Sequence, residues 1–292
     1  MNSIVTHDEF ELFRDLIYRK AGIRLKDSRK FLVANRLRKR MDAYGLSCFY
    51  QYYKLLTKAP DGRNEMQKFI NALTTNETYF FRHPEQFNCL TDVLIPEILA
   101  RKPAGSAVRI WSAACASGEE AYSIAIQVRE HRHSSAPGVC EILGSDINLE
   151  MIEKAGAASY NAYATSRMQS DLLDRYFIRE LDHEVYHLGQ NIRKMVRFYQ
   201  ANLLDPFPFG PFDVIFCRNV LIYFDQETRD RVISNLHRSL KPGGYLFTGY
   251  AESLVNSGHP FRYLKPTLYQ KSEETATVVR HGQTRRSLVE AG

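Results

Sequence analysis

The 292-residue sequence is poor in cysteine, has a single tryptophan and lacks any long unbroken apolar run. Every apolar stretch is interrupted by charge well short of the ~20 residues a spanning helix needs, which excludes a membrane-inserted segment. The five cysteines, Cys48, Cys89, Cys115, Cys140 and Cys217, are odd in number and form no C-x-x-C pair. Neither a disulfide framework nor a zinc cluster follows, so reduced thiols and no metal are expected. MNSIVTHDEFELF carries acids where a secretion signal needs a basic region and an apolar core, so a cytoplasmic location is expected. Also missing are G-x-G-x-x-G and G-x-x-x-x-G-K-[ST], which counts against dinucleotide and nucleoside triphosphate ligands.

What is present is an ordinary globular composition, 44% hydrophobic and 25% charged, with 17 Phe and 17 Tyr to close a core. The net charge of +6 implies attraction to something acidic, and nucleic acid, an anionic membrane surface and an acidic protein all fit. The excess gathers near the N-terminus, where Arg19, Lys20, Arg24, Lys26, Arg29, Lys30, Arg36, Arg38, Lys39 and Arg40 face only Asp27. From Ser28 to Tyr44, Val33, Leu37, Met41 and Tyr44 recur at the spacing of one helix stripe, and Gly45 stops it. Arg29, Arg36, Lys39 and Arg40 fall on a neighbouring sector, so the helix is expected to show a basic stripe beside its buried one. A solvated helix face is the plainer alternative.

An amphipathic helix carrying Phe10, Phe13, Leu16 and Ile17 precedes it, capped by Thr6 with Glu9 at the reciprocal position. A third helix begins near Ser47 with Tyr50, Tyr53 and Leu56. After Pro60-Asp61-Gly62 a fourth runs from Asn64 to Leu73. Residues 1–73 therefore read as a small all-α domain. From Val108 onward, short apolar runs alternate with helical stretches, the pattern of an α/β parallel sheet covered by helices. VRIWSAAC, CEILGSD, VRFYQANL, FDVIFCRN and GYLFTGY are its five expected strands, and RYLKPTLYQK an edge hairpin. Gln226 to Leu240 is a further helix, stopped by Lys241-Pro242-Gly243-Gly244. Val185–Leu188 and Met195–Tyr199 read as an antiparallel insertion over 179–200. Residues 272–292 are polar and unpatterned, and are expected to be a disordered tail.

In doubly wound sheets ligands sit beyond the carboxyl ends of the strands. The first strand is followed by Ala113-Ala114-Cys115-Ala116-Ser117-Gly118-Glu119-Glu120, small residues and then acids at a helix start. Two carboxylates there are the wrong sign for phosphate and suit a ligand with a positive centre or hydroxyl groups, although they also favour the helix dipole. Asp146 ends the second strand, where a carboxylate can accept from a ribose or cap the next helix. Asn202 and Leu203 follow the third strand, and Arg218, Asn219 and Tyr223 the fourth. Together these suggest S-adenosyl-L-methionine.

LTTNETYFFR, WSAACASGEEAYSIAI, SDIN, FDVIFCRNVLIYFD and LKPGGYLFTGYAES, in that order, resemble the CheR family, bacterial methyltransferases that methylate glutamates of chemoreceptors. The resemblance extends to about residue 271. It implies a Rossmann-like methyltransferase domain over 103–271 with a small antiparallel β subdomain, preceded by the all-α domain and a 74–102 linker. It places cofactor contacts on Asn76, Thr78, Arg82, Glu120, Asp146, Asn202, Leu203, Arg218 and Asn219, and sets Arg82 and Tyr223 beside the transferring methyl group. It also supplies an acidic receptor helix as the partner of Arg29, Arg36, Lys39 and Arg40, and a monomeric enzyme is expected. One departure matters: tether-binding members carry a glycine in the subdomain loop, and Arg179-Glu180-Leu181-Asp182-His183-Glu184 has none. This counts against tether-peptide binding. A nucleic-acid methyltransferase is the runner-up, weakened because RNVLIYF is not an N-P-P-Y motif. A non-catalytic S-adenosylmethionine-sensing module is the alternative of a different class.

Overall fold

The computed structural model describes residues 5–58, 62–131, 140–180, 184–254 and 258–273. The Pro60-Asp61 turn, positions 181–183 of the subdomain loop and nearly all of the 272–292 tail lie outside them. Four helices come first: α1 (His7–Ala21), α2 (Lys30–Asp42), α3 (Phe49–Lys58) and α4 (Gly62–Leu73). Thr6 and Glu9 form the expected capping box on α1, each satisfying a backbone donor of the other. At the far end Gly22 takes φ 70°, and a Cβ there would lie 2.5 Å from Thr228 Cγ2, so only glycine lets this turn press on the second domain. Phe13 centres the helical core, its ring 5.9–6.3 Å from those of Phe49, Tyr52, Tyr53 and Phe69. The buried face of α3 is thus Phe49, Tyr52 and Leu56, whereas Tyr50, expected inside, is exposed. Phe49 and Tyr52, each one position earlier than the expected Tyr50 and Tyr53, carry the buried stripe with Leu56.

After α5 (Pro84–Cys89) and α6 (Ile95–Arg101) the sheet begins. Its strands are β1 (Val108–Ala113), β2 (Cys140–Asp146), β3 (Ser159–Asn161), β4 (Phe177–Glu180), β5 (Val185–Leu188), β6 (Val196–Gln200), β7 (Phe212–Cys217), β8 (Leu240–Thr248), β9 (Phe261–Lys265) and β10 (Leu268–Lys271), with α7 (Glu119–Glu130) between β1 and β2. The main sheet has the order β6-β2-β1-β7-β8-β10-β9. The first five run parallel, and β10 is antiparallel to both its neighbours, as the hairpin reading required. β1 and β7 are the central strands and are buried almost throughout, which is why they read as continuous apolar runs.

Two expectations are corrected. The small sheet is β3-β5-β4, so the antiparallel subdomain runs from 159 to 188: it contains the expected strand Val185–Leu188 but begins before 179 and ends short of 200. The stretch 195–199 belongs to β6, which pairs in parallel with β2 at the edge of the main sheet. The helix Gln226–Ser239 stops just before Lys241-Pro242-Gly243-Gly244, as expected, and that stretch lies at the start of β8, whose register against β7 is irregular between Phe212 and Val214.

Candidate functional site

The chain leaves β1 toward β2 on one side and, later, enters β7 on the other, so the strand order reverses between β1 and β7. A crevice is expected beyond their carboxyl ends. A cavity of about 340 Å³ lies there, closed on its outer side by the helical domain. Its wall contains Asn76, Thr78, Arg82, Glu120, Asp146, Asn202, Leu203, Arg218, Asn219 and Tyr223 together. Every cofactor and transfer position inferred from the sequence therefore reaches one cavity. Arg29 and Arg36 line it too, whereas Lys39 and Arg40 do not.

The loop after β1 is held in a conformation L residues rarely adopt, with φ 60° at Ala114, 47° at Ala116 and 94° at Gly118. Such backbone persists only where its surroundings fix it. Here Asp146 does so: one oxygen accepts from Ala116 N at 2.9 Å and the other from Asn148 N at 2.9 Å. Burial pushes the Asp146 pKa up, partly offset by these bonds. Each carboxylate oxygen keeps a lone pair for a further donor, so a hydroxyl can be added without breaking the latch.

Glu120, in the first turn of α7, accepts from Ser112 Oγ at 2.6 Å and faces Arg218 Nη1 at 3.2 Å. Burial raises its pKa, with Arg218 and Ser112 opposing. Arg218 lies 5.4 Å from the Phe87 ring centre, donates through Nη2 to the Arg82 carbonyl and leaves its buried Nε without a partner. Burial lowers its pKa, against the pull of Glu120. A buried donor left unpaired at a cavity wall is what a ligand acceptor would satisfy. Cys115, also on the wall, is fully buried, and its thiol is pushed well up by desolvation and by Asp146 and Glu120. That removes it as a nucleophile.

The linker and the helical domain supply the lid. Asn148 Nδ2 donates to Thr74 Oγ1 at 2.8 Å, and Asn76 Nδ2 donates to the same hydroxyl at 3.1 Å. Asn202 Nδ2 donates to Lys20 O at 2.8 Å, across the domain boundary, while its Oδ1 accepts from Leu204 N in its own loop, so each end of this amide already has a partner. Arg24 N donates to Tyr223 O at 2.9 Å, tying the lid to the loop after β7. Thr74, Asn148 and the Ile23–Lys26 segment escaped the sequence reading. Asn148 sits inside SDIN, but nothing in its spacing announced a bond to the linker.

The four cations expected to form one stripe occupy three environments. Arg40 makes a bidentate pair with Glu65, 2.8 Å for each bond, and Glu65 has no exposed side-chain surface. Its charge is therefore internal, because α4 carries an acid on the face that α2 packs against. Arg36 turns inward and donates to Ala72 O and Thr74 O, at 3.2 and 2.9 Å, as a strut beneath the linker. Arg29 and Lys39 are exposed, and only Arg29, in the turn before α2, stands at the cavity.

A mixed sheet with its ligand crevice at the switch point, a carboxylate at the end of β2 and an acid in place of a phosphate-binding glycine loop define an S-adenosylmethionine-binding methyltransferase. The family model described as "CheR methyltransferase, SAM binding domain" matches residues 76–270, and "CheR methyltransferase, all-alpha domain" matches 8–74. The chain belongs to the CheR methyltransferase family. It is 38% identical over 278 residues to chemotaxis protein methyltransferase 2 of Vibrio cholerae, covering 93% of this chain and 96% of the relative. It is 39% identical to the chemotaxis protein methyltransferase of Salmonella typhimurium, covering 91% of each. With that of Escherichia coli it shares 38%, again covering 91% of each. No helix of the described residues is long and apolar enough to cross a membrane. Among them, no group of three or more His, Cys, Asp or Glu side chains is arranged to hold a metal ion.

Proposed function

We propose that this protein transfers the methyl group of S-adenosylmethionine to glutamate side chains of bacterial chemoreceptors, giving glutamate methyl esters and S-adenosylhomocysteine, in the cytoplasm. The observation that carries the reading is the wall of the cavity. Glu120, Asp146, Asn76 and Asn219 offer carboxylates and amides for an ammonium and a ribose, and Arg82 and Tyr223 stand on the same wall. The bound cofactor supplies a methyl group on a positively charged sulfur, an electrophile that needs no further activation.

The acceptor asks equally little. A glutamate carboxylate has a pKa of ~4.3 and is already an anion at neutral pH, so no general base is required. Among the described residues lining the cavity there is no histidine, and the Cys115 thiol is held protonated. The chain's task is positioning in a water-poor site. Arg82 donates to Glu77 O at 3.3 Å and lies 5.7 Å from the Tyr79 ring centre, contacts that steady a guanidinium on the cavity wall suited to orienting the incoming carboxylate. Arg24, Lys26 and Arg29 line the cavity from the lid side, so an acidic helix meets cations there before its glutamate enters. The glycine-free loop around Glu180 and Glu184 supports a tether-independent enzyme, which titration with receptor tail peptides tests.

The variant Arg82→Ala tests the assignment of the transfer site. The expected outcome is a fall in kcat of about a hundredfold, the scale of losing one charged contact made in the transition state, with cofactor affinity within threefold. Full turnover with unchanged affinity would remove Arg82 from the site.

A further inference from the structure

The loop from Arg218 to Tyr223 brings both Asn219 and Tyr223 to the cavity wall, yet it is a short connection with one strained residue. Asn219 has φ 61°, a left-handed conformation that asparagine tolerates better than most residues but that needs outside support. The support comes from a residue that does not line the cavity. Glu252 is 1% exposed, and one of its oxygens accepts from Asn219 N and from Gly249 N, each at 2.7 Å. The other accepts from Ile222 N at 3.3 Å. One buried carboxylate thus holds the strained start of the loop, the residue just before Tyr223, and the end of β8.

We infer that Glu252 is a positioning residue for methyl transfer, acting through the 218–223 loop. Gly249 belongs to the same device. A Cβ at that position would lie 2.5 Å from Glu252 Oε2 and 3.0 Å from both Asn219 N and Asn219 Nδ2, so any side chain there displaces the clamp. The geometry also explains why the residue is a carboxylate. Three backbone donors converge on two oxygens, and an amide of the same shape would turn an NH2 group toward one of them. The inference rests on the reading of Tyr223 for its kcat arm, but not for its cofactor arm, which runs through Asn219.

The test is a variant series with calorimetric S-adenosylmethionine affinity, kcat and the KM for a receptor cytoplasmic fragment as readouts. Glu252→Ala is expected to raise the cofactor Kd and lower kcat by about tenfold or more each, on the scale of losing a charge-assisted bond, while KM stays within threefold. Glu252→Gln falls between it and the parent, since one oxygen can still serve Asn219 and Gly249. Gly249→Ala, which leaves the carboxylate present but displaced, follows Glu252→Ala, and it carries the test if Glu252→Ala does not fold. The discriminating measurement is a cycle: in an Asn219→Gly, Tyr223→Phe background, Glu252→Gln should cost twofold or less. Equal losses in both backgrounds, or parental Kd and kcat in Glu252→Gln and Gly249→Ala, would overturn the inference. Failure of the Tyr223 reading shows separately, as full kcat in Tyr223→Phe alone.

Discussion

Two buried glutamates, one in each domain, face an arginine, and they do opposite things. Glu65 in the helical domain takes two bonds from Arg40, one from Tyr52 at 2.8 Å and one from Tyr44 at 3.0 Å. Burial works against its charge, but the donors Arg40, Tyr52 and Tyr44 more than offset it, and its pKa falls below the usual carboxylate value. Glu120 has only Ser112 and a longer contact to Arg218, burial prevails, and its pKa rises. Glu65 has no exposed side-chain surface, whereas Glu120 keeps 14% and lines the cavity. A carboxylate saturated by donors is a structural tie. One left short of donors, on a cavity wall beside an arginine with an idle Nε, suits the binding role proposed for it.

Arg40→Ala separates the two cases most strongly. It strands Glu65 without its cation, a change that costs about 3–5 kcal/mol for a buried pair. Urea or thermal unfolding should show that loss, with S-adenosylmethionine affinity nearly unchanged. Glu120→Gln should do the reverse: calorimetry should find cofactor binding weaker by about 2–3 kcal/mol, on the order of a hundredfold, because a charge facing the ligand is lost. Its stability should fall by less than that of Arg40→Ala, since Gln keeps the Ser112 bond and still offers Arg218 an acceptor. Were Glu120→Gln to lose stability and keep affinity, the distinction between the glutamates would fall.

The neighbouring Glu119 sharpens the contrast through pH. Burial raises its pKa to about 7, with its own backbone bond and Ser117 opposing. The folded state therefore holds this proton up to about pH 7, while the unfolded chain releases it near 4.5. Stability from this group falls as pH rises through that window, by on the order of 3 kcal/mol. Glu119→Gln should flatten the unfolding free energy between pH 4.5 and 7 and be the more stable form at pH 8. A smaller effect is expected at the exposed cations. Arg29→Glu with Lys39→Glu should raise the KM for a receptor fragment about threefold to tenfold at low salt, and the difference should fade as salt is added. Arg36 is unsuited to that test, because reversing it breaks the strut under Thr74.

Much of the site could be read from the sequence because a parallel sheet sends its ligand contacts to the ends of its strands, and those ends are local in the chain. Glu120, Asp146, Arg218 and Asn219 each follow a strand whose apolar run was plain. Glu65 and Glu252 could not be found that way. Their donors come from positions 40, 44 and 52, and from 219, 222 and 249, so each looks in sequence like any surface acid. The same distance hid the small sheet: β3 has three residues, too few for alternation to show, and it pairs with β5 from 24 residues farther along. Arg40 failed for a related reason, since helix geometry gives an azimuth but not what the neighbouring helix presents there.

The most direct test is transfer of isotopically labelled methyl from S-adenosylmethionine to a purified cytoplasmic fragment of a chemoreceptor, followed by mild alkali. Label should enter the fragment, leave as methanol in alkali, as a carboxyl ester does, and be absent when the target glutamates are replaced by alanine. Label stable to alkali, or label entering RNA with none in the receptor, would contradict glutamate O-methylation.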